Sequence, residues 1–128
     1  MKNVINIDKQ SRIPVYEQLI DSLKREILNS FIEEEEMIPS VRTLAMELSI
    51  NPNTIQKAYN ELERLGITQS VPGVGRYVSK GAIGIIKKEI VQKEYLLKDV
   101  VTELKSGGYS LDEIMEIVRK YYKGEGKL

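Results

Sequence analysis

Apolar positions in the first eighty residues come in short blocks whose period changes along the chain. From residue 15 to about residue 29, Leu19, Ile20, Leu23, Ile27 and Leu28 recur at three- and four-residue steps behind Pro14, which marks one buried stripe on a helix. Glutamates 33–36 interrupt the pattern, and Pro39 prevents a helix from running through. A run of like charge reads as a solvated loop. Ser40 then stands at an N-cap position before "VRTLAMEL", in which Val41, Leu44, Ala45 and Leu48 share a face. Only Ser49 and Ile50 separate this segment from the next periodic one. That link is too tight for two independent helices and suits a helix-turn-helix.

The third helix, over about 51–65, opens with "NPNT". The Asn51 side chain can cap free amides, Pro52 fits the first position, where no donor is needed, and Gly66 supplies a left-handed stop. Ile55, Ala58, Tyr59, Leu62 and Leu65 fall on one face, Asn53, Gln56, Lys57 and Asn60 on the other. Amides and a lysine suit bidentate bonding to adenine edges and neutralisation of phosphates in a major groove. On an isolated helix the same residues would be ordinary solvent-facing polarity. The continuation, "ITQSVPGVGRYVSK", changes that weighting: two β-prone runs, 67–71 and 76–79, are joined by Pro72-Gly73-Val74-Gly75 into a hairpin. Arg76 follows the glycine tip and Lys80 closes the far end, where each can reach a minor groove or a phosphate.

From Ala82 the period settles. Ile83, Ile86, Ile90, Leu97, Val100 and Leu104 keep a three-four alternation broken only at Lys93, and Val91, Leu96 and Val101 widen the stripe. A long helix ending at Gly107-Gly108 accounts for it. Ser110 with Glu113 three residues on then forms a capping box ahead of Leu111, Ile114, Met115, Val118, Tyr121 and Tyr122. Two helices cannot bury stripes this wide against each other, so a second copy of the chain is the natural partner. The competing arrangement folds the long helix back on its own winged domain. The expected fold is mainly α (α+β): a winged helix-turn-helix domain over 1–80 and a two-helix dimerisation tail over 81–128.

Composition narrows the chemistry. The 128 residues are 41% hydrophobic, enough for a core, and include no cysteine and no histidine. Disulfides, thiolate ligands and the commonest general base are thereby missing, so an enzyme, a metal site and a cofactor are not expected. Formal net charge is zero, and whole-chain electrostatics do not favour nucleic acid. Between Pro39 and Lys80, however, five basic residues (Arg42, Lys57, Arg64, Arg76, Lys80) face three acidic ones (Glu47, Glu61, Glu63), a net charge of +2. "MKNVINIDKQ" lacks an apolar signal core and no apolar run approaches a membrane span, so the expected location is cytoplasmic. A tail over 81–128 cannot enclose a drug-sized cavity. A small-molecule effector would need a shallow or dimer-interface site, which Tyr95, Tyr109, Tyr121 and Tyr122 could line, although packing is the ordinary role of each.

In order, "IPVYEQLIDSLKREI", "IPSVRTLAMELSINPNTIQKAYNELERLG" and "PGVGRYV" resemble the DNA-binding domain of the GntR family of bacterial transcription regulators, over roughly residues 11–80. "NPNT", "AYNELE" and the short helical tail are similar to its YtrA-like subfamily. The resemblance implies a homodimer that binds a palindromic operator in double-stranded DNA and usually represses, with a transporter operon as one implied target. It implies that Ser40 and Arg42 contact phosphate or a base, that Asn51, Pro52, Asn53, Thr54, Gln56 and Lys57 open the recognition helix, and that Gly73, Gly75 and Arg76 form the wing tip. Two departures stand out. The family usually has glycines near Ser30 and Glu35, which leaves the path of the loop over 31–39 open, and it often has arginines where this recognition helix has amides and Lys57. The alternative function is a winged-helix protein-docking module without specific DNA binding.

Overall fold

In the computed structural model, residues 5–124 are described. Their elements are α1 (Val15–Leu28), β1 (Met37–Ile38), α2 (Val41–Leu48), α3 (Pro52–Arg64), β2 (Thr68–Val71), β3 (Gly75–Val78), α4 (Ala82–Ser106) and α5 (Leu111–Tyr122). The chain divides into two compact units, Met1–Lys88 and Glu89–Leu128. The boundary falls inside α4, eight residues later than the expected one at Lys80.

The first unit is a three-helix layer closed by a small antiparallel sheet of order β1-β3-β2. Leu19, Leu23 and Ile27 of α1, Leu44 of α2 and Ile55, Tyr59 and Leu62 of α3 meet Ile32, Ile38, Ile67 and Val78 in one core. The stripe of α1 thus finds the partner its spacing demanded. In the hairpin, Thr68 pairs with Val78 and Val71 with Gly75. Its turn is closed by Val74 N–H on the Val71 carbonyl at 3.0 Å. Pro72 takes the second turn position and Gly73, at φ 75°, the third, as a type II turn requires.

The acidic loop departs from a simple solvated connection in two ways. Its end forms β1, with Met37 opposite Tyr77 and Ile38 opposite Arg76 on β3. Inside it, the Glu34 carboxylate accepts the backbone N–H groups of Gly81 at 2.9 Å and Ile83 at 3.1 Å, capping the first turn of α4. Those two bonds, aided by Lys80, hold the Glu34 carboxyl below its ordinary range. Ser30 and Glu35 occupy the left-handed region at φ 61° and 68°, so the chain follows the glycine path at these positions without glycine.

Ala82 is fully buried and Ile86 is 3% exposed in this same core, with Ile83 and Ile85 packed against it. This corrects the assignment of Ile83 and Ile86 to a tail dimerisation stripe. The stripe runs without a break from Ile83 to Ile90, but its first two turns serve the winged unit. The second unit comprises the rest of α4 and α5, joined through Gly107-Gly108. The Tyr109 N–H closes α4 on the Leu104 carbonyl at 3.1 Å. The capping box forms as expected, with Glu113 N–H on Ser110 Oγ at 3.1 Å and Ser110 N–H on Glu113 Oε1 at 2.9 Å. Ile114 is buried in this unit, whereas Ile90, Leu97 and Val100 stay 47%, 54% and 51% exposed.

Candidate nucleic-acid interface

The link between α2 and α3 sets how the expected reading helix is presented. Ser49 ends α2 in the left-handed region at φ 54°, and Ile50 N–H closes on the Ala45 carbonyl at 3.0 Å. Lys9, from the segment before α1, donates its ammonium to the Ser49 carbonyl at 2.8 Å. That segment is itself tied to α1. Gln18 Oε1 accepts the Asp8 N–H, and Gln18 Nε2 donates to the carbonyls of Asp8 and Ile13, all at 2.8–2.9 Å. These N-terminal ties were absent from the residues singled out by sequence, because they join segments up to forty residues apart.

Capping then starts each helix where the pattern required. Ser40 Oγ accepts the Thr43 N–H at 3.1 Å and donates to Thr43 Oγ1 at 2.9 Å. Asn51 Oδ1 accepts the Asn53 N–H at 2.8 Å, and Pro52 occupies the first position of α3. Arg42, Asn51, Pro52, Asn53 and Lys57 are exposed, and Thr54 and Gln56 are half-buried.

Seven of the expected DNA-contacting residues line three neighbouring depressions around α3, and Arg42, Pro52 and Asn53 are exposed outside these three. A cleft of about 310 Å³ brings together Ser40, Gln56, Gly75 and Arg76 from the start of α2, the middle of α3 and the wing. A groove of about 400 Å³ between α1 and α3 holds Lys57 with Tyr16, Lys24, Glu17 and Glu61. A third, of about 280 Å³, pairs Asn51 and Thr54 with Lys9. Gly73 lies at the exposed wing tip. Gly75, at φ 149°, is approached by Met37, whose Sδ would stand 3.4 Å from an added Cβ.

Two cations are held by aromatic faces. The Lys57 ammonium lies 3.8 Å from the centre of the Tyr16 ring, and the Arg76 guanidinium 5.3 Å from that of Tyr59. Tyr59 is fully buried and donates its hydroxyl to the Pro39 carbonyl at 2.9 Å. Burial pushes its phenol far above the ordinary range, and the nearby Arg76 only partly opposes this, so it stays a donor. Arg76 is therefore not a free cation at the tip: it is half-buried along β3, with Nη1 buried and without a hydrogen-bond partner among the described residues. Tyr16 and Asn60 complete the surroundings of Lys57 and Gln56. Asn60 was already placed on the polar face of α3 by its i+4 spacing to Gln56; Tyr16 sits on another helix and carries no such signal.

The family model "Bacterial regulatory proteins, gntR family" matches residues 15–78, from the start of α1 to the end of the wing. The chain belongs to the GntR family. This GntR-family protein is similar to the HTH-type transcriptional repressor YtrA of Bacillus subtilis (strain 168), with 34% identity over 118 residues that span 91% of each chain. Among solved structures it resembles a transcriptional regulator from Oenococcus oeni, at 30% identity and a TM-score of 0.66, covering 94% of this chain and 98% of that one. It also resembles the DNA-binding domain of AraR in complex with operator ORR3, at 26% identity and a TM-score of 0.51, over 58% of this chain and 89% of that one. The GntR-family protein is a DNA-binding transcriptional regulator and not an enzyme. The docking-module alternative is thereby set aside.

Proposed function

We propose that this regulator is a homodimeric repressor that binds a palindromic operator, with α3 in the major groove and the wing at the minor groove or on phosphate. The observation that carries this reading is the cleft that gathers Ser40, Gln56, Gly75 and Arg76 beside the polar residues of α3. Groups from three elements that converge on one helix can grip the backbone on both sides of a base-reading face. Asn53, Thr54 and Gln56 read bases in this scheme, while Arg42, Lys57 and Arg76 hold phosphates. Asn51 and Pro52 set the start of the helix, and Gly73 with Gly75 lets the wing approach closely.

The tail supplies the twofold partner. Ile90, Leu97, Val100 and Leu104 form the dimer stripe, since apolar residues left half exposed on a helix favour association. Twofold symmetry would then present two copies of α3 to half-sites about one turn of DNA apart. Repression is supported by the similarity to YtrA, a transcriptional repressor matched over 91% of its length. Binding to operator DNA in this scheme implies a cytoplasmic working location. Any small-molecule effector would act at a shallow site or at the dimer interface.

Titration of the full-length protein against duplexes from its own promoter, with a random duplex as reference, tests the reading. A palindrome should bind at least about a thousandfold more tightly than the random duplex. Lys57→Ala should weaken all sequences alike and reduce the salt slope by about one. Equal affinity for palindromic and random duplexes, or a monomer in sedimentation at tens of micromolar, would sink the proposal.

A further inference from the structure

Gln56 and Asn60 stand one turn apart on α3, and Gln56 Nε2 donates to Asn60 Oδ1 at 2.7 Å. The importance of this bond lies in what it leaves over. A primary amide carries two N–H donors and one carbonyl acceptor. With one N–H held by Asn60, Gln56 keeps one N–H beside Oε1. In the major groove adenine offers one acceptor, N7, next to one donor, the N6 amino group, whereas guanine offers two acceptors, N7 and O6. The pair that remains on Gln56 matches adenine and sets a carbonyl against guanine O6.

Without Asn60 the side chain would be free to turn. Its whole –NH2 group could then swing toward guanine N7 and O6 or thymine O4 and accept those bases as partners. Holding the amide also removes rotamer freedom before DNA arrives, so less entropy is lost on binding. Gln56 lies in the wing cleft with Ser40 and Arg76, while Asn60 is exposed one turn further along. The contact therefore reaches the base-reading residue from the side away from the start of α3.

We propose that Asn60 is a positioning residue that fixes the Gln56 amide for adenine at one base pair of each operator half-site. This rests on the reading of Gln56 as a base-contacting residue and adds which base it selects and what orients it.

The test uses the full-length protein and duplexes that it selects from a randomised pool, with each base pair then substituted in turn and Kd measured by fluorescence anisotropy. The wild type should show one position per half-site at which replacing adenine by guanine weakens binding about five- to hundredfold. Gln56→Ala should bring that ratio close to one at that position only. Asn60→Ala should lower the same ratio several-fold. Asn60→Asp keeps an acceptor for Gln56 Nε2, so it should retain the wild-type ratio while its charge weakens every duplex in a salt-dependent way. Asn60 is exposed on a helix and alanine is the better helix former, so the variants fold. An unchanged ratio in Asn60→Ala would overturn the proposal. So would an Asn60→Asp variant as relaxed as Asn60→Ala, which would mean that Asn60 acts through its own –NH2 group. If Gln56→Ala alters no ratio, Gln56 reads no base and the underlying assignment falls as well; if only the Asn60 variants fail, that assignment survives.

Discussion

In the unit that ends at Lys88, Leu19, Leu44 and Ile55 have no exposed surface, whereas in the unit that follows, Ile90, Leu97, Val100 and Val118 keep between 43% and 54%. Both regions draw on the same aliphatic residue types. The difference lies in closure. Three helices, a sheet and the first turns of α4 surround the first core from every side. Two helices on their own can each cover only one stripe of the other, and a wider stripe stays wet. The first unit therefore holds its stability internally, while the proposed dimer would tie that of the second to association and so to protein concentration.

The largest expected effect separates the two directly. Leu19→Ala should destabilise the winged unit by about 2–5 kcal/mol in urea unfolding, with no dependence on protein concentration. Leu97→Ala should leave that transition in place but raise the dimer dissociation constant about tenfold or more in sedimentation, because a buried leucine contributes about 1.5–3 kcal/mol. A concentration-independent loss in Leu97→Ala, or a concentration-dependent one in Leu19→Ala, would break the distinction. Ser110→Ala should cost about 1 kcal/mol through the loss of the α5 cap.

Acid sharpens the same contrast. The Ser110 backbone N–H, followed by its side chain, holds the Glu113 carboxyl below its ordinary range. A carboxylate depressed in the folded state stabilises it above the unfolded pKa, and that contribution is lost as pH falls through the folded value. Helix content in the tail should therefore fall in acid, and circular dichroism of Glu113→Gln should lack that step. The smallest effect is a gain: Ser30→Gly should stabilise the winged unit by up to about 1 kcal/mol in thermal unfolding, as relief at φ 61° outweighs the extra freedom of glycine in the unfolded chain.

What the sequence made legible was local. The caps at Ser40, Asn51 and Ser110 and the turn at Pro72-Gly73 each depend on residues a few positions apart, and each appears where the spacing put it. Strand β1 escaped because two residues have no period, and their pairing with Tyr77 and Arg76 joins positions about forty apart. The role of Glu34 escaped for the same reason, its donors lying at Gly81 and Ile83. Ile86 was misassigned because the stripe runs on from Ile83 to Ile90 without interruption and so does not record where its partner changes. At the interface, the residue types on α3 were readable, but the ties of Lys57 to Tyr16 and Arg76 to Tyr59 required the helices and sheet to be assembled first.

The Glu34 cap and the burial of Ala82 and Ile86 bear on how the regulator can be dissected. A fragment cut after Lys80 would strand the Glu34 carboxylate without its two donors and open the floor of the core. Failure of such a fragment to bind DNA would then report damage to the reading head rather than the absence of a dimer. A cut after Lys88 keeps that floor in place, so the contribution of the tail can be weighed by itself.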